Sequence, residues 1–162
     1  MSELLPKDKP GQVEIKKEGG VKIMGILQYP DPILTTPCQL VTVFDDELMN
    51  FIGDMWATMR GVSWGKPVGL AAPQVGRSIQ LFIANGEVFI NPKLLWLTKA
   101  PRSSSTEGCY SKDANTYVTN SRVDCLRLGW QDEHGVKHER RFNGFKAWVI
   151  QHEYEHLNIG NI

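Results

Sequence analysis

One segment near the end of this 162-residue chain, His152-Glu153-Tyr154-Glu155-His156, constrains it more than any other. On a helix, side chains four residues apart lie one above the other, so two imidazoles at that spacing can bind a single cation. Glu153 lies one step round the helix, within reach of a water on that cation, which is where a general base belongs. The competing reading is a pair of core histidines, but two of them continuing an apolar helix face are costly unless something pairs with them. A catalytic metal takes three protein ligands and keeps one position open for water. Only Leu157 to Ile162 follow His156, and none of these is His, Cys, Asp or Glu, so the third ligand is expected upstream. That sets aside the peptidase patterns whose third ligand lies beyond the helix.

Among upstream candidates the strongest is Cys109, in Thr106-Glu107-Gly108-Cys109-Tyr110-Ser111. A thiolate is a tight ligand, and Gly108 beside it lets backbone approach a metal or a substrate closely. His134 and His138 are the weaker candidates, at a hairpin tip and its returning strand, where solvated histidine is the commoner outcome. Cys38 and Cys125 read as small buried residues. Three cysteines at wide spacing make a poor disulfide framework and suit a reducing compartment.

A third stretch, Val68-Gly69-Leu70-Ala71-Ala72-Pro73-Gln74-Val75-Gly76, carries little side-chain bulk. A bound chain can lie against such a backbone, and the Gln74 amide can donate to a developing oxyanion. Taken alone it is also what a small-residue loop before a strand looks like.

The remaining pattern predicts an α+β fold. Asp45 can cap a helix over 45–60, with Leu48, Phe51, Ile52, Met55 and Met59 at helical spacing. Alternation predicts a strand over 79–83, and Asn85-Gly86 a tight hairpin into 88–91. Further strands are expected near 93–98, 117–123, 124–131 and 136–142. Asn143 then opens a helix over 144–158, with Phe145, Val149, His152 and His156 on one face and Trp148 beside them. Antiparallel or mixed strands packed around a C-terminal metal-binding helix, with one amphipathic helix nearer the start, is the expected architecture. Residues 1–22 read as a flexible extension and 23–162 as a single catalytic domain. Lys+Arg and Asp+Glu are both 18, so no overall field draws the chain to nucleic acid or anionic lipid. Neither a membrane span nor a secretory signal stands out, which makes the cytoplasm the expected location.

In this order, Gly69-Leu70-Ala71-Ala72-Pro73-Gln74, Glu107-Gly108-Cys109-Tyr110-Ser111 and Gln151-His152-Glu153-Tyr154-Glu155-His156 resemble the three signatures of the peptide deformylase family. The likeness spans about residues 24–160 and includes Tyr29-Pro30-Asp31-Pro32-Ile33-Leu34 and Ile90-Asn91-Pro92. The resemblance implies hydrolysis of the N-formyl group from the initiator methionine of nascent polypeptides, with release of formate. It implies that Cys109, His152 and His156 hold the metal and that Glu153 handles the proton. Gln74 and the backbone N–H of Tyr110 would hold the formyl oxygen. Val68, Gly69, Leu70, Gly108, Phe145, Trp148 and Val149 would contact the substrate. Ligand chemistry alone suggests zinc, whereas the family implies Fe(II), with Ni(II), Co(II) or Zn(II) also accepted.

This chain departs from the family pattern in places. Tyr110 stands where leucine is usual, Pro67 where the loop's first glycine is common, and Glu155 where aspartate is frequent. Many relatives continue past this point into a C-terminal strand or helix that helps some dock on ribosomes. The missing extension speaks against ribosome docking here, and the balanced charge against direct nucleic-acid binding. Short members of this shape resemble those carried by bacteriophages, implying a bacterial or phage-infected cytoplasm. Two other readings use the same residues: a metallopeptidase cleaving ordinary peptide bonds, and a noncatalytic metal-stabilised peptide-binding module.

Overall fold

Asp45 starts the first helix as its side chain allows. In the computed structural model, which describes residues 17–18, 20–62, 67–113, 116–160 and 162, its Oδ1 accepts the Leu48 N–H at 3.0 Å. The helix it opens, α1, runs Asp46–Arg60, with Asp46 and Glu47 at the positive end of its dipole. Leu48, Ile52, Met55 and Met59 form its buried stripe. Of the stretch 1–22, residues 1–16 and 19 lie outside those described. Its end forms a two-stranded ribbon, β1 (Lys17–Glu18) with β2 (Val21–Lys22), and the Lys22 N–H donates to Asp54 Oδ1 on α1 at 2.6 Å.

The main sheet has five antiparallel strands, β3 (Gly69–Ala71), β4 (Leu81–Ala84), β5 (Glu87–Leu97), β8 (Cys125–Gln131) and β9 (Lys137–Asn143), in the order β3-β4-β5-β8-β9. A separate two-stranded ribbon, β6 (Ser103–Gly108) with β7 (Tyr117–Arg122), leads into and out of the segment holding Cys109. The second helix, α2 (Gly144–Glu155), packs on one face of the sheet through Ala147, Ile150 and Tyr154 against Phe82, Phe89, Leu126 and Leu128. The helix α1 covers part of the other face, against Leu70, Leu81, Ile83, Val88 and Ile90. Alternation along β3, β4 and β5 splits their side chains between these two cores.

Asn85 and Gly86 take the positive φ values of 52° and 83° that a tight hairpin requires. Two expected strands, 88–91 and 93–98, are one. Asn91 adopts φ 49° and shifts the register between Ile90 and Lys93, which accommodates Pro92 inside the strand. The Asn91 amide holds this bulge by bonding both Val41 N and Val41 O at 2.8 Å. Strand β3 stands where the sequence suggested loop, and β6 where no strand was expected. The final helix stops at Glu155 rather than 158. His156 is its C-cap, still helical at φ −61° and ψ −21°, and Asn158 turns the chain at φ 53°.

Candidate active site

Three donor atoms converge where the end of α2 meets the end of β6. Cys109 Sγ lies 3.4 Å from His156 Nε2, and His156 Nε2 lies 3.2 Å from His152 Nε2. All three ligand atoms fall within 4.8 Å of one another. Metal–nitrogen and metal–sulfur bonds of ~2.1 and ~2.3 Å at tetrahedral angles separate ligand atoms by ~3.4 to ~3.6 Å. The two sides that meet at His156 therefore have about the length of tetrahedron edges, and one sulfur with two imidazoles suits a borderline divalent ion. Among the described residues the cluster has three members, which leaves a fourth corner for solvent or substrate.

What aims His152 is a carboxylate behind it. Glu107 Oε2 meets His152 Nδ1 at 3.0 Å, which fixes the ring and turns Nε2 toward the cluster. Glu107 in turn takes a two-pronged pair of bonds from Arg122, Nε to Oε1 and Nη2 to Oε2, both 2.8 Å. Arg122 Nη1 completes the chain to Glu155 at 2.7 Å. Burial opposes ionisation of Glu107, but hydrogen bonds from Arg122 and His152 outweigh it and hold the carboxyl well below the usual range. Burial likewise works against a charge on His152, yet its hydrogen bonds with Cys109 and with the accepting Glu107 carboxylate outweigh that and raise its pKa. His156 is pushed down, by burial first and then by the His152 charge.

Glu153 is 4% exposed, and its Oε2 has no hydrogen-bond partner among the described residues. Burial pushes its carboxyl up to about 7, with the His152 charge pulling the other way. Gly69 makes the room it occupies: a Cβ built there would fall 2.8 Å from the Glu153 carboxyl carbon. Gln74 is locked by its own backbone. Its Oε1 accepts the Ala71 N–H at 2.9 Å, so its NH₂ faces the cluster, donating to Ser111 Oγ at 3.1 Å and approaching Cys109 Sγ at 3.6 Å. A cavity of about 310 Å³ opens in front of these groups.

The chain's relatives agree with this geometry. The sequence profile of the polypeptide deformylase family matches residues 23–160. The chain belongs to the peptide deformylase family. Members are metal-dependent hydrolases that remove the formyl group from an initiator methionine. A peptide deformylase of Wolinella succinogenes is 36% identical over 148 residues, covering 84% of each chain. One from Treponema pallidum is 38% identical over 132 residues, covering 79% of this chain and 78% of its own. The crystal structure of peptide deformylase from Thermotoga maritima superposes with a TM-score of 0.79 at 34% identity, over 84% of this chain and 92% of that one.

Of the residues expected at the substrate, Val68, Gly69, Gly108, Phe145, Trp148 and Val149 line the cavity, as do Gln74 and Tyr110. Leu70 does not. Strand alternation turns it to the opposite face, where it is fully buried against α1. His134 sits exposed in the β8–β9 turn, and His138 pairs with Asp132 at 2.7 Å and stacks on Trp130, away from the cluster. Cys38 is buried and Cys125 half-buried, both as free thiols. Sequence reasoning quoted Glu107 and Gln151 only as motif letters. The Gln151 amide grips Val123 at both N (3.0 Å) and O (2.8 Å), tying α2 to the β7–β8 connection. A signal for both existed in their proximity to the ligands, but their partners Arg122 and Val123 are distant in sequence.

Proposed function

We propose that this chain removes the N-formyl group from formyl-methionyl peptides by water attack on the formyl carbon, using one divalent ion held by Cys109, His152 and His156. The observation that carries the reading is the three-cornered donor set with the Glu153 carboxylate beside it, whose Oε2 has no hydrogen-bond partner among the described residues. A closed structural site would call for a fourth protein ligand, and among the described residues the cluster has three. A peptide substrate suits the backbone around the cavity. Strand β3 is the edge of its sheet and β6 is paired with β7 alone in its ribbon, so an extended chain finds strand edges on both sides.

The ion, when bound, supplies Lewis-acid polarisation and acidifies water. Glu153 accepts the proton of the attacking water, and a carboxyl lifted toward neutrality can return it to the leaving amine. Gln74 Nε2–H and the Tyr110 backbone N–H hold the formyl oxygen as negative charge develops there, each worth ~3 kcal/mol if preorganised. Formate leaves, and the free amine of methionine remains. Phe145, Trp148, Val149 and Val68 give the methionine side chain its apolar surroundings, with Gly69 and Gly108 leaving the backbone open to it.

We take the ion as Fe(II), with Zn(II), Ni(II) and Co(II) as substitutes, and the working location as the cytoplasm, where nascent chains are made. No helix among the described residues is long and apolar enough to cross a membrane. The test compares formyl-Met-Ala-Ser with Met-Ala-Ser under anaerobic conditions, using Fe(II)- and Zn(II)-loaded protein. Formate from the first and no peptide-bond cleavage of either is the expected result. Cleavage of the unformylated peptide would favour a metallopeptidase instead.

A further inference from the structure

Trp148 lines the cavity from α2, one turn before His152. Its indole N–H donates to Asp124 Oδ1 at 2.9 Å. The other carboxylate oxygen, Oδ2, accepts the Ser103 hydroxyl at 2.5 Å, and the Asp124 backbone carbonyl accepts the Gly144 N–H at 2.8 Å. A single residue between β7 and β8 therefore ties the start of β6, the first residue of α2 and the cavity wall together. Among the described residues Asp124 forms no ion pair, so both oxygens of this carboxylate go to neutral donors, one of them the indole. A hydrogen bond to an ionised acceptor is among the stronger ones a side chain can make.

The consequence is a wall that does not yield. Val149 is buried, and Ser105, also lining the cavity, is 8% exposed. Trp148 is only half-buried, so without its anchor the indole has solvent to swing into. Phe145, the other aromatic that α2 brings to the cavity, is 60% exposed and has no comparable tether to define a width.

We propose that Asp124 is a positioning residue that sets which N-terminal side chain is accepted, by holding the Trp148 indole as a fixed wall of the substrate cavity. This rests on the deformylase reading of the same site. Releasing the wall lets a bulkier side chain enter and takes packing away from methionine, so selectivity falls without any loss of the metal cluster.

The experiment measures kcat/KM for formyl-Met-Ala-Ser and formyl-Phe-Ala-Ser and follows their ratio. Asp124→Ala is expected to lower the Met/Phe ratio by about tenfold, the scale on which apolar pockets discriminate. Asp124→Asn keeps an oxygen for the indole N–H and should hold the ratio within about twofold of wild type. Trp148→Phe has no N–H to tether and should lose selectivity as Asp124→Ala does, and adding Asp124→Ala to it should change nothing further. A merely structural role for Asp124 lowers both rates together and leaves the ratio alone. An unchanged ratio in folded Asp124→Ala, or an Asp124→Ala effect that persists in the Trp148→Phe background, overturns the proposal. If Asp124→Ala does not fold, Trp148→Phe decides: a wild-type ratio overturns it. Wild-type protein that releases formate from neither peptide removes the deformylase reading and this inference with it, whereas an active wild type with an unmoved ratio removes the inference alone.

Discussion

Gly69→Ala is the smallest substitution that should disable this site, and its effect can be worked from distances. Gly69 lies on β3, paired in register with Ala84, and is not among the glycines with positive φ, so its backbone suits alanine well. What excludes alanine is space. The added Cβ would sit 2.8 Å from both Cγ and the carboxyl carbon of Glu153. Carbon atoms pack at about 3.5–4.0 Å, so the overlap is ~1 Å. Glu153 is 4% exposed and β3 is held to β4, so the overlap has to be relieved inside the site. A displacement of ~1 Å at a reacting group costs about 100-fold in rate, and overpacking of this kind costs about 1–3 kcal/mol of stability. Formate release at saturating peptide should therefore fall about 100-fold, while elemental analysis finds the metal content unchanged, because no ligand moves. Combining Gly69→Ala with Glu153→Asp withdraws the carboxylate by one methylene, and the double variant should be no slower than Glu153→Asp alone. A Gly69→Ala enzyme with kcat within about threefold of wild type would refute the argument that this glycine makes room for the base.

Two further outcomes follow from the hydrogen bonds. Gln74→Ala removes an oriented oxyanion donor and should lower kcat about 10²- to 10³-fold with little change in metal content, measured by formate release and elemental analysis. Glu107→Gln weakens the support of His152 and leaves buried Arg122 with Glu155 as its remaining charged partner among the described residues. Divalent-metal affinity, measured by competition with a chelator, should drop about 10- to 100-fold.

The sequence made some of this legible because the determinants are local. Asp45 caps its own helix, Asn85-Gly86 makes its own turn, and His152 and His156 reach each other within one helical turn. Other features depend on contacts far along the chain. The serine-rich β6 has no apolar alternation and is a strand by virtue of pairing with β7. The 88–98 region reads as two strands because Pro92 interrupts it. It is one because the Asn91 amide bonds to Val41 across the fold. Leu70 was expected at the substrate because the family resemblance carried it over with its motif, but the alternation of β3 sends Gly69 to the site and Leu70 to the core. Glu107 was visible as a letter beside Cys109, while its function depends on Arg122 and His152, neither of which is near it in sequence.

The central claim is that an ion held by one sulfur and two imidazoles works together with the Glu153 carboxylate to hydrolyse a formamide. Formate release from formyl-Met-Ala-Ser, measured side by side for Fe(II)-loaded wild-type protein and Glu153→Ala protein of equal iron content, tests it most directly. The account predicts turnover by the wild type and almost none by the variant. Equal turnover by the two proteins, or none by the wild type, would contradict it.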